Sequence, residues 1–143
     1  MKAFWLDMDG TIANLYGEKD WLQKLNNKDT APYANAKPLV NMARLAKALH
    51  KAQRKGYTVN IVSWLSKESN ADYDRAVAQA KREWLAKHLP SVVWDKVAIV
   101  AYGTPKSTIG QGVLFDDEER NRNEWGEGAY TPSEIFVKLA EVK

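Results

Sequence analysis

Two aspartates that directly follow a short apolar run are the feature that most constrains this chain. The run Ala3–Leu6 is continuous and partly aromatic, which predicts a buried strand. It ends in Asp7 and Asp9, followed by Gly10. Residues two apart in a strand point the same way, so two ionised carboxylates there would repel each other. A fold that keeps this pair must therefore supply a compensating metal ion or lysine.

The rest of the chain alternates predicted helices with short apolar strands. In chain order these are a helix from Pro38 to a cap at Gly56, a strand over Tyr57–Ser63, a helix over Asp72–Leu89, strands over Val97–Val100 and Gly112–Phe115, and a final helix over Pro132–Val142. This alternation predicts an α/β fold with a parallel sheet and helices on both faces.

A polar, turn-rich stretch over residues 14–37 is interpreted as a small insertion after the first strand. A short helix is predicted around Trp21. Packing of the insertion's aromatic residues Tyr16, Trp21 and Tyr33 onto the domain is favoured over a base-stacking role. With 143 residues, the chain is expected to form one domain over 1–143, with 14–37 as a cap or lid within it.

Composition excludes several classes of protein. The absence of cysteine excludes disulfides, thiolate metal sites and a cysteine nucleophile. The net charge of +3 is diffuse, so we expect no stable nucleic-acid partner, although it suits a small anionic substrate. No apolar run approaches the roughly 20 residues of a membrane span. We therefore expect a cytoplasmic protein without a membrane partner.

Polar side chains follow three of the predicted strands. Asp116 and Asp117 come directly after Gly112–Phe115, and Ser63 ends the second strand. The carboxyl ends of parallel strands lie at one edge of a sheet, where ligands bind, so these side chains should converge with Asp7 and Asp9. Lys106 lies in a loop before the fourth strand and can reach the same edge.

These groups suit phosphate chemistry with Mg²⁺. Hard carboxylate oxygens select Mg²⁺, and a lysine neutralises both carboxylate and phosphoryl oxygens. Ser63, its neighbour Trp64, Lys106 and Gly10, with its adjacent backbone N–H groups, are the candidate phosphate-binding residues. One carboxylate could attack phosphorus to form an aspartyl-phosphate while the other transfers protons to and from the reacting oxygens.

The order of these residues resembles the four motifs of haloacid dehalogenase superfamily phosphatases. Asp7-x-Asp9-Gly10-Thr11 is similar to the first motif, Ser63 to the second, Lys106 to the third and Asp116-Asp117 to the fourth. Lys106 lies ten positions before Asp116, a spacing similar to that of the 5′(3′)-deoxyribonucleotidase-like branch. In that branch a Ser-Pro pair is commoner than the Ser63-Trp64-Leu65 found here.

The resemblance implies a three-layer Rossmann-like core with the first strand central, the second and third strands on one side and the fourth and fifth on the other. It assigns Asp7 as nucleophile and Asp9 as general acid and base. The implied Mg²⁺ ligands are Asp7, the Asp9 carbonyl and Asp116, with Asp117 binding directly, through water, or paired to Lys106.

The predicted function is Mg²⁺-dependent hydrolysis of a small phosphomonoester, with a (deoxy)nucleoside monophosphate as the leading substrate. A sugar phosphate or another metabolite is the first alternative, because substrate choice depends on the insertion. A phospho-acceptor signalling domain or a phosphate-binding module without turnover are alternatives of another class. A homodimer, in which a neighbouring subunit covers the short insertion, is left open.

Overall fold

A five-stranded parallel sheet forms the centre of the structure, a computed structural model that describes residues 2–143. In chain order the elements are β1 (Ala3–Leu6), β2 (Ala13–Asn14), α1 (Trp21–Asn26), α2 (Ala31–Asn35), β3 (Lys37–Pro38), α3 (Met42–Arg54), β4 (Thr58–Trp64), α4 (Ala71–His88), β5 (Lys96–Val100), β6 (Val113–Phe115), α5 (Glu119–Trp125), β7 (Ala129–Tyr130) and α6 (Ile135–Ala140). Short 3₁₀ turns cover Leu15–Gly17, Lys106–Thr108 and Pro132–Glu134.

The strand order is β5-β4-β1-β6-β7, and every neighbouring pair is parallel. The first strand is therefore central, as the family resemblance implied. Its side chains alternate between two cores because successive strand residues point to opposite faces. Phe4 and Leu6 pack with residues of α3, α4 and α6. Ala3 and Trp5 pack on the other face, where Ile109 and Trp125 cover them.

The insertion lies against α4. Leu15, Leu25 and Tyr33 form a small core with Tyr73 and Val77 of that helix. Two hydrogen bonds add to this contact, from the Tyr73 hydroxyl to the Asp29 carbonyl (2.7 Å) and from the Trp84 indole to the Ala36 carbonyl (2.7 Å). The insertion contains the predicted helix at Trp21 and also α2, which the sequence reading did not predict. Its action as a lid stays a prediction.

The predicted start at Pro38 of the helix that corresponds to α3 is wrong. Lys37–Pro38 forms an antiparallel pair with Ala13–Asn14, and α3 begins four residues later at Met42. The physical reason is Asn41, whose side-chain oxygen accepts the backbone N–H of Arg44 at 2.9 Å and so caps the helix. Leu39, which precedes the helix, is 43% exposed. The predicted cap at Gly56 is confirmed by its φ of 90°.

The remaining boundaries agree within one or two residues, except at the last helix. There Thr131 and Glu134 form a capping box, but Pro132–Glu134 is a 3₁₀ turn and not part of the predicted helix, and α6 ends at Ala140. Over residues 2–143, the structure contains no helix with the length and apolar character needed to cross a membrane.

Replacement of the Asn41 cap tests where α3 begins. Asn41→Ala should lower the free energy of unfolding by about 1 kcal/mol, measured by urea denaturation, because the cap is lost. If the helix began at Pro38, the same change would place a better helix former inside it and raise stability by up to about 0.7 kcal/mol. Lys47→Ala, at an exposed position of the same helix, is the control and should change stability little.

Candidate active site

The turn after β1 places Asp7 and Asp9 at the edge of the sheet. Asp7 still belongs to the sheet, since its N–H donates to the Phe115 carbonyl at 3.0 Å. The Met8 carbonyl then accepts three backbone N–H groups, those of Thr11, Ile12 and Ala13, which closes a tight turn. Gly10 sits in this turn with φ of 78°. Its N–H donates to the Ala13 carbonyl at 2.9 Å, so this amide is already used within the turn.

Lys106 joins the ends of two neighbouring strands. Its Nζ donates to Oδ1 of Asp7 at 2.9 Å and to Oδ2 of Asp116 at 2.6 Å. All three side chains are buried, with Lys106 and Asp116 at 2% and 0% exposure. Burial alone would lower the pKa of Lys106, but the two carboxylates raise it above its ordinary value. Lys106 is therefore a fixed cation between β1 and β6.

Asp116 is held by the start of the following helix, α5, as well as by Lys106. Its Oδ1 accepts the N–H of Glu118 at 2.9 Å, and its Oδ2 accepts the side-chain amide of Asn121 at 3.1 Å. Asn121 is buried on α5 and was not predicted from the sequence. Its position five residues after Asp116, on the short helix that follows β6, was the available signal.

Three carboxylates form a cluster that fits a hard cation. One oxygen from each of Asp7, Asp116 and Asp117 lies within 4.8 Å of the others. The hydroxyl of Thr11 contacts two of them, Asp7 at 3.1 Å and Asp117 at 3.4 Å. Such an all-oxygen donor set suits Mg²⁺. The side chain of Asp9 lies outside this cluster because it pairs with another residue.

That residue is Lys81, which sequence reasoning missed. Its Nζ donates to Oδ2 of Asp9 (2.8 Å), Oγ of Ser63 (2.7 Å) and the Trp64 carbonyl (2.7 Å). Lys81 is 1% exposed and projects from the inner face of α4. The available signal was a lysine in helical register with the buried residues Val77 and Trp84, on the face that the periodicity assigns to the core.

Burial and crowding shift the pKa values of these aspartates upward. Burial, and after it the Asp7 carboxylate, raises the pKa of Asp116 to about 6 and that of Asp117 to about 8. Burial also raises the pKa of Asp9, although Lys81 opposes this shift. Among the described residues, Asp7, Asp9 and Asp116 form salt bridges with two buried lysines, and Asp117 is the fourth carboxylate of the site. Fully ionised, the site would thus carry two excess negative charges, which a divalent cation would neutralise.

The predicted phosphate-binding residues lie at different depths. Lys106 and Trp64 line a cavity of about 430 Å³ together with Asp7, Asp9 and Asp117. Ser63 is fully buried and its Oγ accepts a hydrogen bond from Lys81, so its side chain lies behind the cavity wall. Gly10 also lies behind that wall, next to Asp117.

The insertion forms the opposite wall of this cavity. Its lining residues are Leu15, Tyr16, Trp21, Leu22, Leu25, Asn26 and Tyr33. The aromatic residues expected only to pack therefore also face the cavity. Tyr33 does both, since it is 5% exposed and its hydroxyl lies 2.5 Å from Oγ of Ser66. On the sheet side, the rings of Trp64 and Tyr102 are in contact, with centroids 4.9 Å apart.

Comparison with known proteins defines the fold. No family model matches the sequence, and no curated protein matches it significantly. The structure is similar to D,D-heptose 1,7-bisphosphate phosphatase from Burkholderia thailandensis, with a TM-score of 0.58 and 13% identity over 99% of this chain and 100% of that chain. An MCSG target from Vibrio cholerae has a TM-score of 0.48 and 21% identity over 100% of both chains, a likeness too low to carry an argument. The first likeness establishes the three-layer, Rossmann-like fold that the resemblance implied.

The close approach of Gly10 to Asp117 can be tested by adding one methyl group. A Cβ atom at Gly10 would overlap Oδ2 of Asp117 and would also meet Tyr16. Gly10→Ala should therefore cost more than the roughly 1–3 kcal/mol expected from its positive φ alone, measured by urea denaturation.

Gly56→Ala is the matched control for this substitution. Gly56 has a similar φ of 90°, but a Cβ atom there would meet nothing within 4 Å. Equal losses of stability in the two variants would contradict the close contact between the turn and Asp117.

Proposed function

We propose that this protein is a phosphomonoester hydrolase of the haloacid dehalogenase type, acting through an aspartyl-phosphate on Asp7. The observation that carries the proposal is the arrangement around Asp7. This carboxylate is held by Lys106 and faces the same cavity as Asp9 and Asp117. A nucleophile, a second carboxylate for proton transfer and a fixed cation thus face one space large enough for a small substrate.

In the proposed first step, a carboxylate oxygen of Asp7 attacks phosphorus. The bond from phosphorus to the ester oxygen breaks, and Asp9 gives its proton to that leaving oxygen. The raised pKa of Asp9 increases its protonated fraction at a given pH, which suits this role. Lys106 donates to Asp7 and Asp116, so the third N–H of its ammonium group can bind a phosphoryl oxygen.

In the second step, water attacks the phosphorus of the aspartyl-phosphate. Asp9, now ionised, accepts a proton from that water, and the bond from phosphorus to the Asp7 oxygen breaks. Inorganic phosphate leaves, while Asp7 is restored as a carboxylate and Asp9 as an acid. The two aspartates thus have separate roles although they lie only two residues apart.

Mg²⁺ is the proposed cofactor, held by Asp7, the Asp9 carbonyl, Asp116 and Asp117. When bound, it would supply positive charge to the phosphoryl oxygens and to the carboxylates around it. Lys106 and Trp64, which line the cavity, are the proposed direct phosphate-binding residues. In this proposal Ser63 and Gly10 lie behind the cavity wall and act indirectly. Ser63 accepts a hydrogen bond from Lys81, and Gly10 shapes the turn.

We place a sugar phosphate ahead of a nucleoside monophosphate as the substrate. The structural neighbour from Burkholderia thailandensis is by name a phosphatase for a heptose bisphosphate. The nucleotide alternative is supported by a different observation. Trp21, Trp64 and Tyr102 line the cavity, and aromatic faces of this kind stack on nucleobases.

A panel of phosphomonoesters distinguishes these two substrate classes. We expect kcat/KM to be highest for sugar phosphates, and Trp21→Ala to leave the ranking unchanged. A nucleotide substrate would instead give the highest kcat/KM to ribo- or deoxyribonucleotides. In that case Trp21→Ala should cost about 1–3 kcal/mol of transition-state stabilisation, because a stacked base loses its partner.

Substitution of the two aspartates tests the reaction itself. The protein should hydrolyse a generic aryl phosphate with Mg²⁺ and lose this activity in EDTA. Asp7→Asn should reduce hydrolysis to the background rate, since the nucleophile is removed. Asp9→Asn should lower kcat by about 10²–10⁴-fold and leave a phosphoenzyme detectable by intact mass, since proton transfer is removed.

Asp72→Asn is the control for these variants, because Asp72 is 91% exposed at the start of α4. Its activity should equal that of the unmodified protein. Full activity of Asp7→Asn would contradict the assigned nucleophile. A phosphoenzyme that persists in the unmodified protein would favour a phospho-acceptor domain instead.

A further inference from the structure

Lys81 is a buried lysine whose three ammonium protons all have acceptors. They point to Oδ2 of Asp9, Oγ of Ser63 and the carbonyl of Trp64, at distances of 2.7–2.8 Å. Two of these acceptors belong to β4, so the ammonium group is fixed to the sheet by two bonds. With two of its N–H groups fixed in this way, the third N–H of the ammonium group points towards Asp9.

The surroundings of Lys81 keep this geometry closed to water. The Tyr33 ring lies 5.0 Å from Nζ on the insertion side, and Trp84 is buried one turn further along α4. The lysine itself is 1% exposed. A fully bonded ammonium group in such packing has little freedom to change partners, because any other position would leave a buried charge without its hydrogen bonds.

The contact with Lys81 uses only one oxygen of Asp9. Oδ2 accepts the lysine, while Oδ1 has no hydrogen-bond partner within residues 2–143. Asp9 retains 17% side-chain exposure and lines the cavity, whereas Lys81 lies outside the cavity lining. Holding Oδ2 from behind therefore leaves Oδ1 facing the space where a substrate would bind.

We propose that Lys81 is a positioning residue for Asp9, which holds Oδ2 so that Oδ1 is the atom that exchanges protons with the leaving group and with water. This inference rests on the proposed hydrolase function. A proton-transfer group must lie within hydrogen-bond reach of its target, so the orientation of its carboxylate limits the rate. Lys106 likewise donates to Asp7, so the two aspartates of the first motif each contact a different buried lysine.

The first test separates positioning from substrate binding. Lys81→Met keeps the length of the aliphatic chain but removes the ammonium group. We expect kcat for an aryl phosphate to fall about 10–100-fold, by analogy with the loss seen when a residue that orients a metal ligand is removed. KM and inhibition by inorganic phosphate should stay unchanged, because Lys81 does not line the cavity. Lys87→Met, exposed on the same helix, is the matched control and should keep full activity.

The second test is a double-mutant cycle with Asp9. If Lys81 acts through Asp9, Lys81→Met should lower kcat in the unmodified background and have little further effect in the Asp9→Asn background. A lysine that only stabilises the fold would lower activity equally in both backgrounds. The cycle therefore reports the pathway of the effect and not only its size.

The absence of cysteine from the chain allows a chemical rescue. Lys81→Cys would carry the only thiol of the protein, which 2-bromoethylamine converts to thialysine in the unfolded chain before refolding. We expect the unmodified thiol variant to have a low kcat and the thialysine form to regain most of the lost activity. Because the two forms share one polypeptide and one refolding step, this comparison remains informative if Lys81→Met folds poorly.

The outcomes distinguish this inference from the proposed function. Turnover that depends on Asp7, together with equal effects of Lys81→Met in both backgrounds, would overturn the positioning role alone. A raised KM or weaker inhibition by phosphate would make Lys81 a binding residue and also overturn it, as would a thialysine form that stays inactive. Absence of any Asp7-dependent turnover would overturn the proposed function and this inference with it.

Discussion

The ammonium group shared by Asp7 and Asp116 is the interaction on which the rest of the site depends. The two carboxylates follow adjacent strands, β1 and β6, so the fold itself brings them together at the edge of the sheet. Lys106 offsets the repulsion between the two carboxylates by donating a hydrogen bond to each of them. Removal of one partner from such a buried ionic contact typically costs about 3–5 kcal/mol, because a buried charge is left without compensation. The same contact therefore supports both the sheet edge and the proposed nucleophile.

Much of this arrangement could be predicted because it depends on strand ends. A short apolar run fixes where a strand stops, and parallel strands bring their carboxyl ends to one edge. That reasoning correctly predicted the convergence of Asp7, Asp116 and Asp117 and the reach of Lys106. These results need only the boundaries of an element, not the detailed packing of its side chains. The central position of the first strand was implied instead by the resemblance to a known family.

The features that were missed depend on competition between local signals or on tertiary packing. Proline is often the first residue of a helix. Here, however, Pro38 belongs to an extended segment that pairs with Ala13–Asn14, and Asn41 caps the helix instead. Lys81 was missed because a periodicity argument assigns the inner helical face to apolar residues. Its hydrogen-bond acceptors lie in the turn after β1 and in β4. Burial of Lys81 is therefore favourable only once the whole sheet has formed.

The attachment of the insertion to α4 has a consequence for the modularity of the protein. The same helix that carries Lys81 also holds the insertion, through Tyr73 to Asp29 and through Trp84 to Ala36. The insertion, which lines the cavity, is thus attached to the core by contacts with α4 as well as by its two chain ends. A graft of residues 14–37 onto another core of this type would have to transfer the matching surface of α4 with it, and exchange of α4 would alter both walls of the cavity together.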